Sequence, residues 1–376
     1  MDSVRFFSAD YRDGRVRVGN KTYPAGYYCV HLLNQYYKDD TAARLSVFTH
    51  RNEQLQTELK AGYLNPGDFI RAGEEMLHIF HALPWLKPFD ALDINAERNR
   101  IANLFTKENA EKLASYFHRR ATVGNMDEGQ VLLGILPPAY SKDFFGAAEK
   151  LLAEVMDTLR FYDTIGDNVH KAFHQLKKFA AKADEAERLD EAHLLPIALE
   201  IFGDLSLPVT TEYVPYKKNA KSKSEVVARR LYFDSYYSFI ITDFFEGLHY
   251  GHYPRQCEIC ESYFLMTSAR RQRYCGGISP YTFRGKRISC KQYAASINRK
   301  ELADADPVVD IYNRRCGAIR SEKSRGTITE EFAAKAKALA LEHKQHAQED
   351  SCYANTQYPL DMKRDALYAE TAKHLS

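Results

Sequence analysis

The sequence predicts a mainly α-helical protein with minor β content. An α-rich N-terminal domain with a short β-hairpin (1–205) precedes a strand and helix that lead into a treble-clef-like four-cysteine module (206–300). A helical region (301–376) follows. Three observations carry this reading. Apolar residues recur at helical spacing through most of the first two hundred positions. Four of the seven cysteines fall in one short stretch, Cys257, Cys260, Cys275 and Cys290. Beyond that stretch, capping residues alternate with Ala/Lys/Glu-rich segments of high helix propensity. At 376 residues the chain exceeds the length of one usual core, and its 45% hydrophobic and 27% charged content is ordinary for a globular protein.

Val16-Arg17-Val18, Gly19-Asn20 and Lys21-Thr22-Tyr23 read as a hairpin around a Gly-Asn turn. The pattern turns helical from about Tyr27. Ile70, Met76, Leu77, Ile79 and Phe80 share a face that Pro84 closes, and further helices are expected between Asn95 and Arg120. Ser141 is placed to cap a long helix that buries Phe144, Phe145, Ala148, Leu151, Leu152, Val155 and Leu159. Its pattern resumes at Val169, Phe173, Leu176 and Phe179. Val209 to Val214 reads as a strand ended by Pro215, Tyr216 to Ser224 as an exposed loop, and Tyr232 to Leu248 as a buried helix. After Cys290 helices are expected from Lys291, over Pro307 to Arg320, from a Thr329 cap to His346, and over Leu360 to Leu375.

The cysteines carry the chemistry. Cys257 and Cys260 form a C-x2-C knuckle, and fourteen residues separate Cys260 from Cys275 and again Cys275 from Cys290. Such spacing suits one tetrahedral structural zinc ion, with four sulfurs leaving no open position for a reacting water. Cys290 would open the last helix of the module, and Phe264 and Tyr274 would form a small apolar layer beside the metal. Net charge is +2 overall, but residues 255–300 hold ten Lys or Arg against Glu258 and Glu261, a local +8 that leaves −6 elsewhere. That asymmetry points to a polyanion. Arg270, Arg271, Arg273, Arg284, Lys286 and Arg287 are the expected phosphate contacts, and Tyr281 and Phe283 are expected to stack on bases. The Lys217 to Lys223 segment would extend the same surface.

The stretch from Tyr232 to Ala347 resembles an uncharacterised bacterial family with a C-terminal four-cysteine finger, found in Gram-positive bacteria and their mobile elements. The residues that carry the resemblance are Cys257, Cys260, Phe264, Arg273-Tyr274-Cys275, Cys290, Arg320 and Gly326-Thr327-Ile328-Thr329-Glu330-Glu331-Phe332. More distantly, the knuckle is similar to the CGNR-type zinc fingers of bacterial regulators. The sequence departs from their pattern in Gly276-Gly277 and in the late fourth cysteine. The resemblance implies no established activity.

The expected function is therefore a zinc-binding, cytoplasmic bacterial protein that binds DNA or RNA through its basic zinc module. The alternatives are a protein-interaction adaptor with purely structural zinc, and a nucleic-acid-processing enzyme with its site in the N-terminal domain. No P-loop, H-E-x-x-H, G-x-S-x-G or deaminase signature is present, so no catalytic residue is assigned. The N-terminus lacks the basic start and apolar run of a signal peptide, and no run approaches the roughly eighteen apolar residues of a membrane helix. Asp167, His170 and His174 could share a helix face and form a second site, although two histidines on a charged helix more often face solvent. His78 and His81 read as core-edge residues. Arg314, Arg315, Arg320 and Arg325 read as surface ion-pairing groups rather than an anion site.

Overall fold

A computed structural model describes residues 3–46, 52–124, 142–186, 188–203, 207, 209–217, 224–268, 272–283 and 285–375. The chain divides into two compact units, Met1–Arg273 and Tyr274–Ser376.

In the first unit, β1 (Phe7–Arg12), β2 (Arg15–Val18) and β3 (Lys21–Pro24) form an N-terminal meander whose β2–β3 arm is the expected hairpin. Val18 pairs with Lys21 across a turn in which Gly19 takes a left-handed φ of 55°. A second hairpin, β4 (Thr210–Tyr216) and β5 (Val226–Phe233), adds to the other edge of β1, giving the order β3-β2-β1-β5-β4. Two sequence readings are corrected here. The strand does not stop at Pro215 but runs to Tyr216. It is an edge strand, where a residue without an N–H can be tolerated. Tyr232 belongs to β5, and the following helix begins only after Ser235, whose side chain caps the Ser238 N–H.

Helices cover one face of this sheet. They are α1 (Tyr27–Gln35), α2 (Thr41–Ser46), α3 (Glu53–Lys60), α4 (Pro66–Ile79), α5 (Ile94–Leu104), α6 (Lys107–Gly124), α7 (Lys142–Glu185), α8 (Glu191–Phe202) and α9 (Tyr236–His249). Phe7, Ala9 and Tyr11 of β1 point into the shared core while Ser8 and Asp10 alternate to the other face. The two predicted apolar runs of α7 are one 44-residue helix. It buries Ala148, Val155, Leu159, Val169, Phe173, Leu176 and Phe179. The Ser141 cap and the Phe144 side chain fall outside the described residues. His78 and His81 are exposed rather than at the edge of the core.

Helix α9 is buried on most of its circumference. At Gly247 an added Cβ would lie 3.0 Å from Ala25 O and from Gly26 N and Cα, so only glycine lets this helix reach the start of α1. There the fully buried Asp243 accepts the Tyr28 N–H at 3.0 Å. It caps a helix whose own N-cap, Gly26, has no side chain to do so. Burial pushes the Asp243 carboxyl up to about 7, against the lowering effect of the Gly26, Tyr28 and Cys29 amides.

The second unit begins with the hairpin β8 (Ile278–Phe283) and β9 (Lys286–Ser289), numbered after the β6–β7 pair of the cysteine knuckle (Tyr253–Gln256 and Tyr263–Met266). Then come α10 (Cys290–Ala305), α11 (Pro307–Ser324), α12 (Glu330–Glu349), α13 (Ser351–Asn355), α14 (Tyr358–Asp361) and α15 (Arg364–Leu375). The predicted Thr329 cap accepts the Phe332 N–H at 3.2 Å. The last predicted helix is two helices, α14 and α15, separated at Met362 and Lys363. A core of Ile319, Ala333, Ala336, Leu339, Ala340, Tyr358, Met362 and Leu367 packs α11, α12, α14 and α15 together.

Between about pH 4 and pH 7 the folded protein keeps a proton on Asp243 that the unfolded chain has released, so this group's contribution to stability declines as pH rises through that window. Asp243→Asn retains an acceptor oxygen for the Tyr28 N–H and has no charge to bury. Its stability relative to wild type, read from urea unfolding at acidic and at mildly alkaline pH, is expected to improve with pH by on the order of 3 kcal/mol. A difference that does not change with pH would rule out a proton-holding carboxylate at this position.

Candidate metal centre and basic hairpin

The knuckle is a tight turn between β6 and β7, which pair from Tyr253 with Met266 to Gln256 with Tyr263. Within the turn the Cys257 N–H donates to Ser262 O at 3.0 Å and the Glu261 N–H to Cys257 O at 2.9 Å. Two contacts fix the hairpin to the helices of its unit. Asn34 of α1 reads the Tyr263 peptide from both sides, donating Nδ2–H to its carbonyl and accepting its N–H, each at 2.8 Å. The buried Arg255 pairs with Asp184 of α7 at 2.7 Å and donates from Nη1 to Gln272 O at 2.8 Å. Gln272 leads into Arg273, whose carbonyl accepts the Glu258 N–H at 3.2 Å and whose guanidinium pairs with the Glu258 carboxylate at 2.6 Å.

Cys290 is the first residue of α10, as expected, and its N–H donates to Gly277 O at 2.9 Å. A thiolate at this position faces the positive end of the helix dipole. Phe264 packs against the main core of the first unit, and Tyr274 is half-buried. Cys257 and Cys290 are buried and Cys260 and Cys275 partly so, and all four sulfurs lie within 4.8 Å of one another. Metal–sulfur bonds of about 2.3 Å in a tetrahedron place the sulfurs about 3.8 Å apart, so the set already has the spacing of one four-thiolate ion. Four sulfurs at this spacing are compatible with a bound metal ion. Among the described residues this is the only cluster of three or more His, Cys, Asp or Glu side chains that could hold a metal ion.

Of the residues expected to touch nucleic acid, the structure collects Tyr281, Phe283, Lys286 and Arg287 on the β8–β9 hairpin. Tyr281 is 54% exposed and stacks on Tyr293 of α10 with ring centroids 5.2 Å apart. Phe283 is half-buried, while Lys286 and Arg287 are exposed and form no ion pair among the described residues. Arg273 stands apart from them in its pair with Glu258. Arg270, Arg271, Arg284 and the lysines beyond Lys217 in the 218–223 segment lie outside the described residues. Sequence reading missed Tyr293 as the ring behind Tyr281, and Asn34 and Asp184 as anchors of the knuckle. Nothing local marks Asn34, whose partner is 229 positions away.

The weaker clusters do not assemble into sites. His170 and His174 are exposed neighbours with ring centroids 4.2 Å apart, and Tyr36 shares a 2.5 Å hydrogen bond with His170 Nδ1. Arg314 pairs with Asp310, Arg315 donates to Met362 O, and Arg320 donates to Cys316 O. His343 bridges the Tyr353 hydroxyl and the Glu370 carboxylate, 2.8 Å to each.

Comparison with known families places residues 204–374 in a match to a family of unknown function (DUF6076). That span contains all four cysteines and agrees with the expected resemblance to an uncharacterised family. No curated protein and no solved structure matches the chain. Among the described residues no helix is long and apolar enough to cross a membrane.

Cys275→Ser is expected to lower bound metal by about one equivalent in elemental analysis and to make residues 253–305 more open to proteolysis, because metal binding and local folding are coupled. Retention of the full equivalent would show that Cys275 is not a ligand.

Proposed function

We propose that the four cysteines hold a structural zinc ion and that the module it organises binds nucleic acid through the β8–β9 hairpin and the start of α10. An all-thiolate tetrahedral set suits zinc, and four sulfur ligands close the coordination sphere against catalytic use. The observation that carries the nucleic-acid reading is the surface formed by the exposed Tyr281 ring on Tyr293 together with the exposed Lys286 and Arg287. An aromatic face flanked by cations on a short hairpin offers stacking to any base and charge to the phosphates beside it. Exposed Lys291, Arg299 and Lys300 on α10 extend the positive surface.

The test is binding of zinc-loaded protein to labelled duplex DNA, single-stranded DNA and RNA across a salt series. Binding to at least one is expected to weaken steeply with salt, since each phosphate contact releases a counterion. The double variant Lys286→Ala, Arg287→Ala is expected to flatten the log–log salt slope by roughly 1–2. Tyr281→Ala is expected to cost roughly 1–3 kcal/mol at every salt concentration. Absence of binding to all three at low salt would reject the reading and leave the adaptor with purely structural zinc.

A further inference from the structure

The face of the sheet turned away from the helices carries a second constellation that the sequence did not suggest. Cross-strand pairing sets Asp10 of β1 opposite Arg17 of β2 on one side and Arg230 of β5 on the other. The carboxylate is 5% exposed and takes donors from both. Arg17 gives Nε at 3.1 Å and Nη2 at 2.5 Å to Oδ2, and Arg230 gives Nε at 2.8 Å to Oδ1 and Nη2 at 3.3 Å to Oδ2. Burial alone would raise the Asp10 carboxyl, but hydrogen bonds from Arg230 and Arg17 outweigh it and hold the group below its ordinary range. Arg17 is further fixed by the Tyr216 ring, 4.2 Å from its guanidinium carbon.

These guanidiniums line a cavity of about 760 Å3, within the size range of small-molecule sites. The Gly19-Asn20 turn and the 91–93 segment form its other walls. At Gly19 an added Cβ would sit 3.2 Å from Ala91 O, so the close approach of the two walls depends on glycine. Lys21 pairs with Asp90 at 2.6 Å and ties the same walls together. The other carboxylate on the rim, Asp93, is engaged by the Ala96 N–H as the N-cap of α5. Each arginine directs Nε and Nη2 at Asp10 and leaves Nη1 clear of that carboxylate, the arrangement of two planar forks pre-oriented by a shared anchor.

We infer that this cavity is a binding site for a small organic anion, whose carboxylate or phosphate group is held between Arg17 and Arg230 while the remainder lies against Asn20 and Leu92. The inference is independent of the metal centre and of nucleic-acid binding. Asp10 acts as a positioning residue that removes rotamer freedom from both arginines before the ligand arrives.

The experiment is calorimetric titration of the metal-loaded full chain with inorganic phosphate, pyrophosphate and malonate at fixed low ionic strength. Saturable one-to-one binding is expected for at least one probe, and preference among the three separates phosphate from carboxylate recognition. Arg17→Lys and Arg230→Lys keep a positive partner for Asp10 but lose the fork, and each is expected to weaken binding roughly tenfold or more. Lys286→Ala, Arg287→Ala is expected to leave it unchanged. If either lysine variant fails to fold, Asn20→Ala decides, since Asn20 lines the cavity outside the arginine–aspartate triad; weaker binding supports the site. No saturable binding by the wild-type chain, or affinity indifferent to the folded variants among Arg17→Lys, Arg230→Lys and Asn20→Ala, would reduce the triad to a structural ion cluster and overturn the inference.

Discussion

A buried carboxylate organises the first unit. Asp243 lies fully inside the protein on a helix that is itself almost wholly enclosed, a position that would cost several kcal/mol without compensation. The compensation is the amide-rich start of α1, where backbone N–H groups have no helical partner of their own. The contact forms only because Gly247 and Gly26 let the two helices meet at backbone distance. Once α1 is seated there, Asn34 on its second half faces Tyr263 and holds both polar groups of that peptide. A helix cap is thus connected through one short helix to the placement of Cys257 and Cys260.

The stretch around the other two cysteines has almost no apolar interior. From Thr267 to Ala305 the buried residues among those described are Ser279, Cys290 and Ala294. The core of the second unit is built further on, from Ile319 to Leu367. A hairpin of this length has too little apolar surface to be stable alone, and a metal ion held by the four sulfurs, as proposed, would take the place of a hydrophobic core for this segment. Cys290 sits at the first turn of α10, where one bond to such an ion would order both the ligand and the helix that follows.

Local chemistry made much of this legible. The heptad-like face of α7, the Thr329 cap, the Gly19-Asn20 turn and the ligand spacing are all properties of neighbouring residues, and each is found where the sequence indicates it. What escaped depends on partners far apart in sequence. Most of the β5 strand is not legible in the sequence, which reads only its last two residues, Tyr232 and Phe233, and reads them as helix; its alternation is partly hidden by Arg229-Arg230, charges that are accommodated only through the neighbouring strand and helix. Arg230 meets Asp10 across 220 positions, and Arg229 meets Glu246 of α9. Pro215 reads locally as a stop, yet an edge strand has a free side on which the missing donor is not needed. Asp10 itself looks like an ordinary surface acid until the strand order places an arginine on each side of it.

Charge counting misled in the other direction. The local +8 of residues 255–300 suggests a broad cationic surface, but two of its ten cations serve the fold. Arg255 is buried against Asp184, and Arg273 is tied to Glu258 beside the knuckle. Three more arginines lie outside the described residues, and Lys286, Arg287, Lys291, Arg299 and Lys300 are exposed at the surface. On the described part of this surface, base stacking would add to the affinity gained from counterion release. Recognition by this module would therefore lean on Tyr281, whose ring is already ordered by Tyr293 and loses little freedom on stacking.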